Sequence, residues 1–298
     1  MNNRNRIQFE KPNLTELINK YTVVDLHFHT HYSDGNNSIE EIARQAGNLG
    51  IGVAITDHNE IKGAVEIDSY KDILSIPGIE ITSKEGTHIL VYFYDVKSLK
   101  RFYENDIKPF LGDTVMSSTS LEMEEIIKRV RAFKTVTVFP HPYSPVFTGI
   151  YNSYFPQKRL DHLFKMIDGV EVINSGNLKK SNLKCALLGF NLNKAITGGS
   201  DGHTLVYLGK VVSYAKCKNT RKAFLDAVRK KQNKVMGKEI NMLRKVTSNG
   251  RKMRTSLKNY PDIVEKNLKY GYTVINLQSK RLKDNVKRRI NGKIRKIL

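Results

Sequence analysis

Cysteine, tryptophan and long apolar runs are scarce or missing in this 298-residue sequence. It contains two cysteines and no tryptophan, and so few cysteines favour a reducing compartment over a disulfide-stabilised secreted fold. The first thirteen residues lack the apolar run of a secretory signal. The longest stretch without a charged residue, 135–157, contains four prolines, which argues against a membrane-spanning helix there. We therefore expect a cytoplasmic protein without a transmembrane segment.

Acidic residues are scarce in the last third of the chain. Residues 204–298 hold 27 lysines and arginines against 5 acidic residues, a net charge of +22, whereas residues 1–203 carry −1. Within the basic part, residues 238–298 carry 18 basic and 4 acidic side chains, a net charge of +14. Such a field attracts polyanions, namely nucleic acid, an anionic membrane surface or a phosphorylated substrate. The alternative is a solvated surface that serves only solubility.

Short β-branched and apolar runs alternate with segments of helical period from residue 22 onward. This alternation predicts an α/β fold in which strand–helix units surround a mainly parallel sheet. In the first unit, residues 22–29 predict a strand and residues 39–49 a helix. Ser38 and Glu41 stand in the arrangement of a capping box at the start of that helix.

The same alternation continues through the first 237 residues. Further strands are predicted at 51–56, 74–82, 88–95, 135–140, 169–174, 194–198 and 208–215, with helices near 121–133, 159–167, 180–189 and 220–231. The pattern is typical of a barrel or a doubly wound sheet. We therefore predict one domain over residues 1–237 and a basic, largely helical extension over residues 238–298.

Six of the eight histidines lie at or beside the ends of predicted strands, close to small, polar or acidic residues. At the carboxyl ends of the strands in a parallel barrel, such side chains meet in one cavity although they are distant in sequence. Imidazole and carboxylate ligands together are typical of Zn²⁺, Mn²⁺ or Fe²⁺, whereas Mg²⁺ alone prefers oxygen ligands. Nine such groups exceed the need of one ion and predict two or three cations, with Mg²⁺ possible at one site. The nine are His27, His29, Asp34, His58, Glu80, His88, His141, Asp201 and His203.

Three further residues have weaker signals. His31 and His162 lack the acidic and strand-end context, so His31 is expected in a loop or behind a ligand and His162 on a helix face. Glu171, within a predicted strand, is expected in the core or in support of a ligand rather than on a metal.

The ordered motifs around these residues resemble the polymerase and histidinol phosphatase (PHP) family of metal-dependent phosphoesterases. They are HFH at 27–29, SDG at 33–35, TDH at 56–58, Glu80, His88, HP at 141–142 and SDGH at 200–203. The resemblance covers about residues 20–237. It implies a distorted barrel of about seven β/α units with a trinuclear metal centre. One ion would be held by His27, His29, Glu80 and Asp201, a second by Glu80, His88 and His141, and a third by Asp34, His58 and His203.

The resemblance also implies a reaction, the hydrolysis of a phosphomonoester or phosphodiester. The GVEVIN and GGSDGH segments look closest to the branch that acts on nucleotides and short oligonucleotides. A hydroxide held between cations forms near neutral pH without a side-chain base and would attack phosphorus. Asp57 is expected to support a ligand, and His58 or His203 to protonate the leaving group. Candidate substrate contacts, each with ordinary loop polarity as its alternative, are Asn59, Tyr143, Ser144, Asn177 and Lys179.

The basic extension leaves the function open in one respect. Five apolar residues at spacings of four, four, four and three predict a terminal helix with a narrow apolar stripe, namely Leu282, Val286, Ile290, Ile294 and Ile297. Such a helix can lie on anionic lipid, bind nucleic acid or pack against the barrel. The protein is therefore either a phosphoesterase or a nucleic-acid or anionic-membrane binding protein with a mainly structural metal centre. Because structural sites rarely need three ions, the enzyme is the favoured hypothesis.

Overall fold

The structure is a computed structural model, and it describes residues 6–144, 148–151 and 155–239. Within these ranges ten strands form one curled sheet that is packed with eight α-helices. The strands are β1 Ile7–Gln8, β2 Thr22–Phe28, β3 Gly52–Ile55, β4 Ser75–Thr82, β5 His88–Phe93, β6 Thr135–Phe139, β7 Gly169–Asn174, β8 Ala195–Gly199, β9 Val211–Ala215 and β10 Lys234–Gly237. The helices are α1 Leu14–Ile18, α2 Ile39–Leu49, α3 Lys62–Glu66, α4 Val96–Phe102, α5 Met123–Val130, α6 Gln157–Met166, α7 Lys179–Leu192 and α8 Arg221–Arg229.

The strand order is β1-β10-β9-β2-β3-β4-β5-β6-β7-β8. Strands β2, β3 and β4 are parallel, as are β6, β7 and β8, whereas β5 and β9 run antiparallel to their neighbours. The predicted α/β class is confirmed. The resemblance implied about seven β/α units, and the sequence pattern predicted eight strands, whereas the described residues contain ten. The two strands that the pattern missed are β1 and β10, which are two and four residues long and show no periodic pattern of their own.

The sheet curls until the end of β8 meets β2. The Asp201 amide donates to the carbonyl of His27 at 2.8 Å, and the His29 amide donates to the carbonyl of Gly202 at 2.9 Å. A Cβ at Gly199 would overlap the Cβ of His27, so only glycine permits this approach of the two backbones. The closure brings the residues after β8 next to those of β2.

Most strands of the sheet are buried on both faces. Every residue of β2, β4 and β7 is buried, which is typical of sheets whose faces are both covered. This burial explains why the strands have continuous apolar runs rather than alternating ones. The polar exceptions in these strands include His27, Glu80 and Glu171, which point to a site inside the curl.

Helix α2 follows the sequence prediction closely. The Ser38 side chain accepts from the Glu41 amide at 3.2 Å, and the Glu41 carboxylate accepts from the Ser38 amide at 2.9 Å. Gly50 ends the helix with a φ of +68°, a left-handed conformation that glycine adopts without strain. The predicted capping box and both helix ends are confirmed.

The basic extension lies almost entirely outside the described residues, which stop at Glu239. The predicted terminal helix with its apolar stripe and the boundary at residue 237 therefore stay predictions. Among the described residues, none of the helices combines the length and apolar character that crossing a membrane requires.

Candidate metal centre

Nine side chains from seven segments meet at one edge of the curled sheet. His27 is the penultimate residue of β2, Glu80 lies in β4, and the other seven lie in or beside the turns at that edge. His88 begins β5, but β5 is antiparallel to β4 and pairs His88 with Thr82. A residue at the start of an antiparallel strand therefore reaches the same edge as residues that follow parallel strands.

Glu80 is the centre of the cluster. Its carboxylate is 1% exposed and faces five imidazole nitrogens. Oε2 lies 3.3 Å from Nε2 of His27, 3.4 Å from Nε2 of His29 and 3.2 Å from Nδ1 of His58. Oε1 lies 2.9 Å from Nδ1 of His88 and 3.2 Å from Nε2 of His141. A carboxylate offers about four lone-pair positions, so five nitrogens are more than hydrogen bonds alone can satisfy.

Asp34 and Asp201 complete the cluster from the other side. Oδ1 of Asp201 lies 3.1 Å from Nε2 of His29 and 3.5 Å from Nε2 of His27. Oδ2 of Asp34 lies 2.8 Å from Nε2 of His203, and its Oδ1 lies 3.6 Å from Nδ1 of His29. The two carboxylates thus share His29 as a neighbour.

Ligand atoms within 4.8 Å of one another form four overlapping groups of three in the described part of the chain. They are His27–His29–Asp201, His29–Asp34–His203, His29–His58–Glu80 and Glu80–His88–His141. The last is the set expected for the second ion, and the first contains three of the four residues expected for the first ion, without Glu80. His58 differs, because its Nδ1 is 3.2 Å from Glu80 while its Nε2 is 4.0 Å from the expected partner Asp34. Since His29 and Glu80 belong to more than one group, ions bound here would be close neighbours.

The donor set fits divalent cations. The Nδ1 atoms of His29, His58 and His141 are buried, and none forms a hydrogen bond among the described residues, although Nδ1 of His58 lies 3.2 Å from Oε2 of Glu80. An unpartnered buried nitrogen is costly, whereas a lone pair bound to a cation removes that cost. Imidazole nitrogen with carboxylate oxygen is a donor set that Zn²⁺, Mn²⁺ and Fe²⁺ accept.

Electrostatics in the pocket favour positive charge. Burial opposes protonation of His27, yet Asp201, Glu80 and Glu171 raise its pKa well above 6.5. Burial alone would raise the pKa of Glu80. The surrounding imidazoles, of which His88 has the largest effect, instead hold this pKa well below 4.5. Glu80 and Asp201, whose pKa values are both lowered, thus stay ionised, and a field that attracts protons to imidazole also attracts divalent cations.

His58 has the opposite shift. Burial, aided by neighbouring imidazoles and opposed by Glu80 and Asp34, lowers the pKa of His58 to about 3. Its ring is therefore neutral at physiological pH, the form in which an imidazole donates a lone pair to a metal.

Two members of the cluster have unusual backbone conformations. His141 has a φ of +32° and Asp201 a φ of +50°, and the adjacent Asn59 has a φ of +49°. A left-handed non-glycine residue costs about 1–3 kcal/mol, and such residues cluster at functional sites, although Asn193 and Lys231, outside the pocket, are also left-handed. The fold therefore accepts strain where His141 and Asp201 direct their side chains into the pocket.

The Asp57 carboxylate supports the turn after β2 through hydrogen bonds. It accepts hydrogen bonds from the Thr30 amide and hydroxyl, both at 2.7 Å, and from the Ser33 hydroxyl at 2.6 Å. These bonds hold the turn that carries Asp34. Nothing in the sequence indicated these bonds: Ser33 entered only as part of the SDG motif, and Thr30, an isolated hydroxyl residue in a loop, has no distinctive pattern.

Three of the five candidate substrate contacts lie close in sequence to His58 or His141. Asn59 is fully buried, and its amide donates to the carbonyls of Val115 and Ser117 at 2.8 and 2.9 Å, so it organises a loop. Tyr143 and Ser144 follow the His141-Pro142 dipeptide and are partly exposed. The Tyr143 ring stacks on Tyr151 with centroids 4.4 Å apart.

The remaining two candidates lie shortly after β7. Asn177, in the loop before α7, is 3% exposed, and its backbone amide donates to the carbonyl of Asn174 at 3.2 Å. Lys179 is exposed at the first position of α7, where a cation is free to meet solvent-borne anions.

His31 and His162 lie apart from the cluster. Nδ1 of His31 is 3.2 Å from the carbonyl of Asn37 in the loop after β2. His162 lies on α6 with its side chain 55% exposed and 3.5 Å from Glu124. The loop and helix-face positions expected for them are confirmed.

Comparison with known proteins identifies the family. The PHP domain model matches residues 25–270, which extends beyond residue 237. The uncharacterized protein MJ1587 of Methanocaldococcus jannaschii is 32% identical over a match of 166 residues that covers 51% of this chain and 81% of that protein.

Solved structures share the fold at low sequence identity. The lesion-specific endonuclease PfuEndoQ of Pyrococcus furiosus has a TM-score of 0.59 at 20% identity, over 72% of this chain and 57% of that chain. An Endonuclease Q complex with a 27-mer duplex containing an abasic lesion has a TM-score of 0.58 at 19% identity, over 74% and 60%. PsfC of Pseudomonas syringae PB-5123 has a TM-score of 0.56 at 16% identity, over 80% and 99%. With the family match over residues 25–270, the chain belongs to the PHP domain family.

Proposed function

We propose that this protein is a metal-dependent phosphoesterase that hydrolyses a phosphomonoester or phosphodiester of a nucleotide or short oligonucleotide. The observation that carries the proposal is the meeting of six imidazoles and three carboxylates in one pocket, with Glu80 within 3.4 Å of five of the imidazoles. Two or three cations of the Zn²⁺, Mn²⁺ or Fe²⁺ class, with Mg²⁺ possible at one site, suit this set. Divalent cations so arranged supply an activated water and bind phosphoryl oxygens.

The residues of the pocket have distinct tasks in this proposal. Glu80 brings two groups of ligands together, and His29 joins the group of Asp201 to that of Asp34. Asp57 keeps Asp34 in place through the turn after β2. A rigid arrangement of this kind orients the phosphate and requires little rearrangement during reaction.

Of the two candidate proton donors, His203 suits the role better than His58. With a pKa of about 3, His58 is deprotonated at neutral pH and holds no imidazolium proton to give. His203 has a 12% exposed side chain, and its Nδ1 lies 2.9 Å from the carbonyl of Asp201. A carbonyl only accepts, so Nδ1 carries a proton. In the imidazolium form Nε2 beside Asp34 also carries a proton. Where Nε2 is not bound to a cation, His203 would give that proton to the leaving group and remain as the neutral ring protonated on Nδ1.

Nucleotide chemistry is favoured by charge and by fold. Two of the solved structures that share this fold are Endonuclease Q enzymes, one of them bound to duplex DNA. The basic residues 238–298 carry a net charge of +14, which suits contact with a polyanion. We assign the catalytic domain to residues 1–237 and recruitment to the basic extension.

The proposal is tested with the full chain loaded separately with Mn²⁺, Zn²⁺ or Fe²⁺. The substrates are mononucleotides, bisphosphorylated nucleotides and short RNA and DNA, with released phosphate and chain length as readouts. Hydrolysis of at least one class, abolished by a chelator and restored by the cation, is the expected result. Bound metal and bound oligonucleotide without any hydrolysis would favour the binding protein instead.

Lys179→Ala tests the substrate-facing side of the pocket. We expect KM for an oligonucleotide to rise about threefold to tenfold with kcat nearly unchanged, because a lysine that meets substrate phosphate contributes to binding in ground and transition states alike. The matched control is Lys71→Ala, whose side chain is 79% exposed ahead of β4, at the opposite edge of the sheet. Equal KM values for both variants would remove Lys179 from the substrate site.

A further inference from the structure

We propose that Glu171 and Asn174 form a buried positioning pair that couples two metal-ligand groups, so that cations bind to these groups cooperatively. The pair touches His27 and Asp201 in one group and His141 in the other. The inference rests on the metal centre of the proposed function, but it concerns cation binding and not hydrolysis.

Glu171 has both carboxylate oxygens committed. It is 1% exposed, and its Oε1 lies 3.0 Å from Nδ1 of His27. Its Oε2 accepts from the backbone amide of His141 and from Nδ2 of Asn174, each at 2.9 Å. Three donors therefore converge on one buried carboxylate.

This contact selects the tautomer of His27. An ionised carboxylate only accepts, so Nδ1 of His27 carries a proton and Nε2 carries the lone pair in the neutral ring. Nε2 in turn lies 3.3 Å from Glu80 and 3.5 Å from Asp201. A lone pair facing two carboxylates is repulsive unless a proton or cation lies between them. Glu171 thus prepares His27 to bind a cation through Nε2, as carboxylates behind metal-bound histidines do elsewhere.

Asn174 has its side chain orientation determined by its neighbours. Its Oδ1 accepts from the Gly176 amide at 2.8 Å, so Nδ2 faces the opposite way. There Nδ2 lies 2.9 Å from Glu171 and 3.3 Å from Oδ2 of Asp201. The backbone of Asn174 is held by Asn182, which accepts from its amide at 3.1 Å and donates to its carbonyl at 2.9 Å. One amide therefore connects two carboxylates of the pocket.

A register shift in β7 makes the pair possible. Residues three apart in a regular strand face opposite sides, yet Glu171 and Asn174 meet. The pairing of β7 with β8 shifts between Glu171 and Ile173, as at a β-bulge, which redirects side chains near functional sites.

Coupling follows from which groups the pair touches. His27 belongs with His29 and Asp201, whereas His141 belongs with Glu80 and His88. A cation at the first group fixes His27 and Asp201, and through Glu171 it also fixes the backbone that positions His141. The second cation then meets a site that is already ordered and binds more tightly.

The test is Glu171→Gln in the full chain. A glutamine has one accepting oxygen and one donating amide, so it cannot accept from His27 and from His141 and Asn174 together. We expect about 10-fold to 100-fold weaker cation binding at both groups, measured by Co²⁺ titration with visible absorption and by metal content. The His27 side-chain ¹⁵N shifts are expected to show a changed tautomer in the metal-free variant.

Two backgrounds separate the groups. His88→Ala disables the second group and Asp201→Asn the first, so the ion that remains reports on one group at a time. We expect Glu171→Gln to weaken the remaining ion in both backgrounds. The coupling would be overturned if Glu171→Gln weakened binding of the remaining ion in only one of the two backgrounds, or in neither of them.

Asp168→Asn is the matched control. Asp168 directly precedes β7, and its carboxylate accepts from the Thr137 amide and hydroxyl at 2.8 and 3.0 Å. It thus has a comparable hydrogen-bonding role at the far end of the same strand. We expect it to lower the melting temperature without changing Co²⁺ affinity. An equal loss of Co²⁺ affinity in both variants would mean that Glu171 acts only through general stability and would overturn the inference.

Asn174→Ala provides a second variant if Glu171→Gln does not fold. It removes the amide between Glu171 and Asp201 but leaves the backbone bonds to Asn182. We expect a smaller loss of Co²⁺ affinity, about threefold to tenfold. Unchanged affinity would refute the role of the pair, whether or not the protein hydrolyses any phosphoester.

Discussion

Glu80→Gln is expected to abolish hydrolysis and to remove most of the bound metal. Within the part of the chain that the structure describes, Glu80 is the one carboxylate that faces five imidazoles, through both of its oxygens. An amide keeps the size of the side chain but loses its charge, and its nitrogen turns a donor toward rings that need an acceptor. We expect a fall in kcat/KM of at least about 100-fold. This loss is larger than the one expected for a residue that only hydrogen-bonds to a metal ligand.

The control for this variant is Glu85→Gln in the hairpin that joins β4 to β5. Glu85 is also shielded from solvent, with an 11% exposed side chain, but it pairs with Arg159 at 2.6 Å rather than with the cluster. The metal content of both variants is compared with that of the wild type after purification under identical conditions. Full metal content and turnover in Glu80→Gln would end the assignment of the pocket as the active site.

The convergence of the nine side chains could be expected from sequence because strand ends are recognisable locally. Apolar runs such as residues 169–174 predict buried strands, and polar residues after parallel strands share one edge. His88 was harder to place by this rule, since it begins a strand. Its position at the same edge depends on β5 running antiparallel to β4, and strand direction is a property of the whole sheet.

Supporting residues were less accessible to sequence reasoning. Glu171 could be narrowed only to the core or to support of a ligand, because its partners His27 and His141 are distant in sequence. Its pairing with Asn174 depends on the register shift in β7, which no periodic pattern reveals. Asn59 follows the TDH motif and was therefore a candidate substrate contact. In the structure, its side-chain amide instead donates to two carbonyls of a loop and organises that loop. Contacts of these kinds are formed by tertiary packing.

Removal of the cations is the second change expected to have a large effect, this time on stability. A ligand that binds only the folded state stabilises it by about 4 kcal/mol at a thousand times its Kd. For a domain of this size, each kcal/mol corresponds to about 2–4 °C. We therefore expect a chelator to lower the melting temperature by about 10 °C, measured by calorimetry. Glu80→Gln, which binds little metal, is expected to be insensitive to the chelator.

The stabilisation by cations is also expected to grow as the pH rises. Although burial opposes protonation, neighbouring carboxylates raise the pKa of His27, His29 and His141 above 6.5. Their protonation stabilises the metal-free fold fully below pH 6.5, and this contribution is lost as the pH rises through the raised values. His58, with its pKa lowered to about 3, has the opposite effect, but it is one group against three.

Cations compete with those same protons, so their binding strengthens over the same range. The difference in melting temperature between loaded and metal-free protein is therefore expected to widen from about pH 6 to about pH 8. Calorimetry at both values, with and without chelator, measures it directly. Cation binding strengthens with pH only because cations displace protons from these histidines. A difference in melting temperature that is constant or narrows as the pH rises would therefore mean that the histidines with raised pKa values do not hold the stabilising ions.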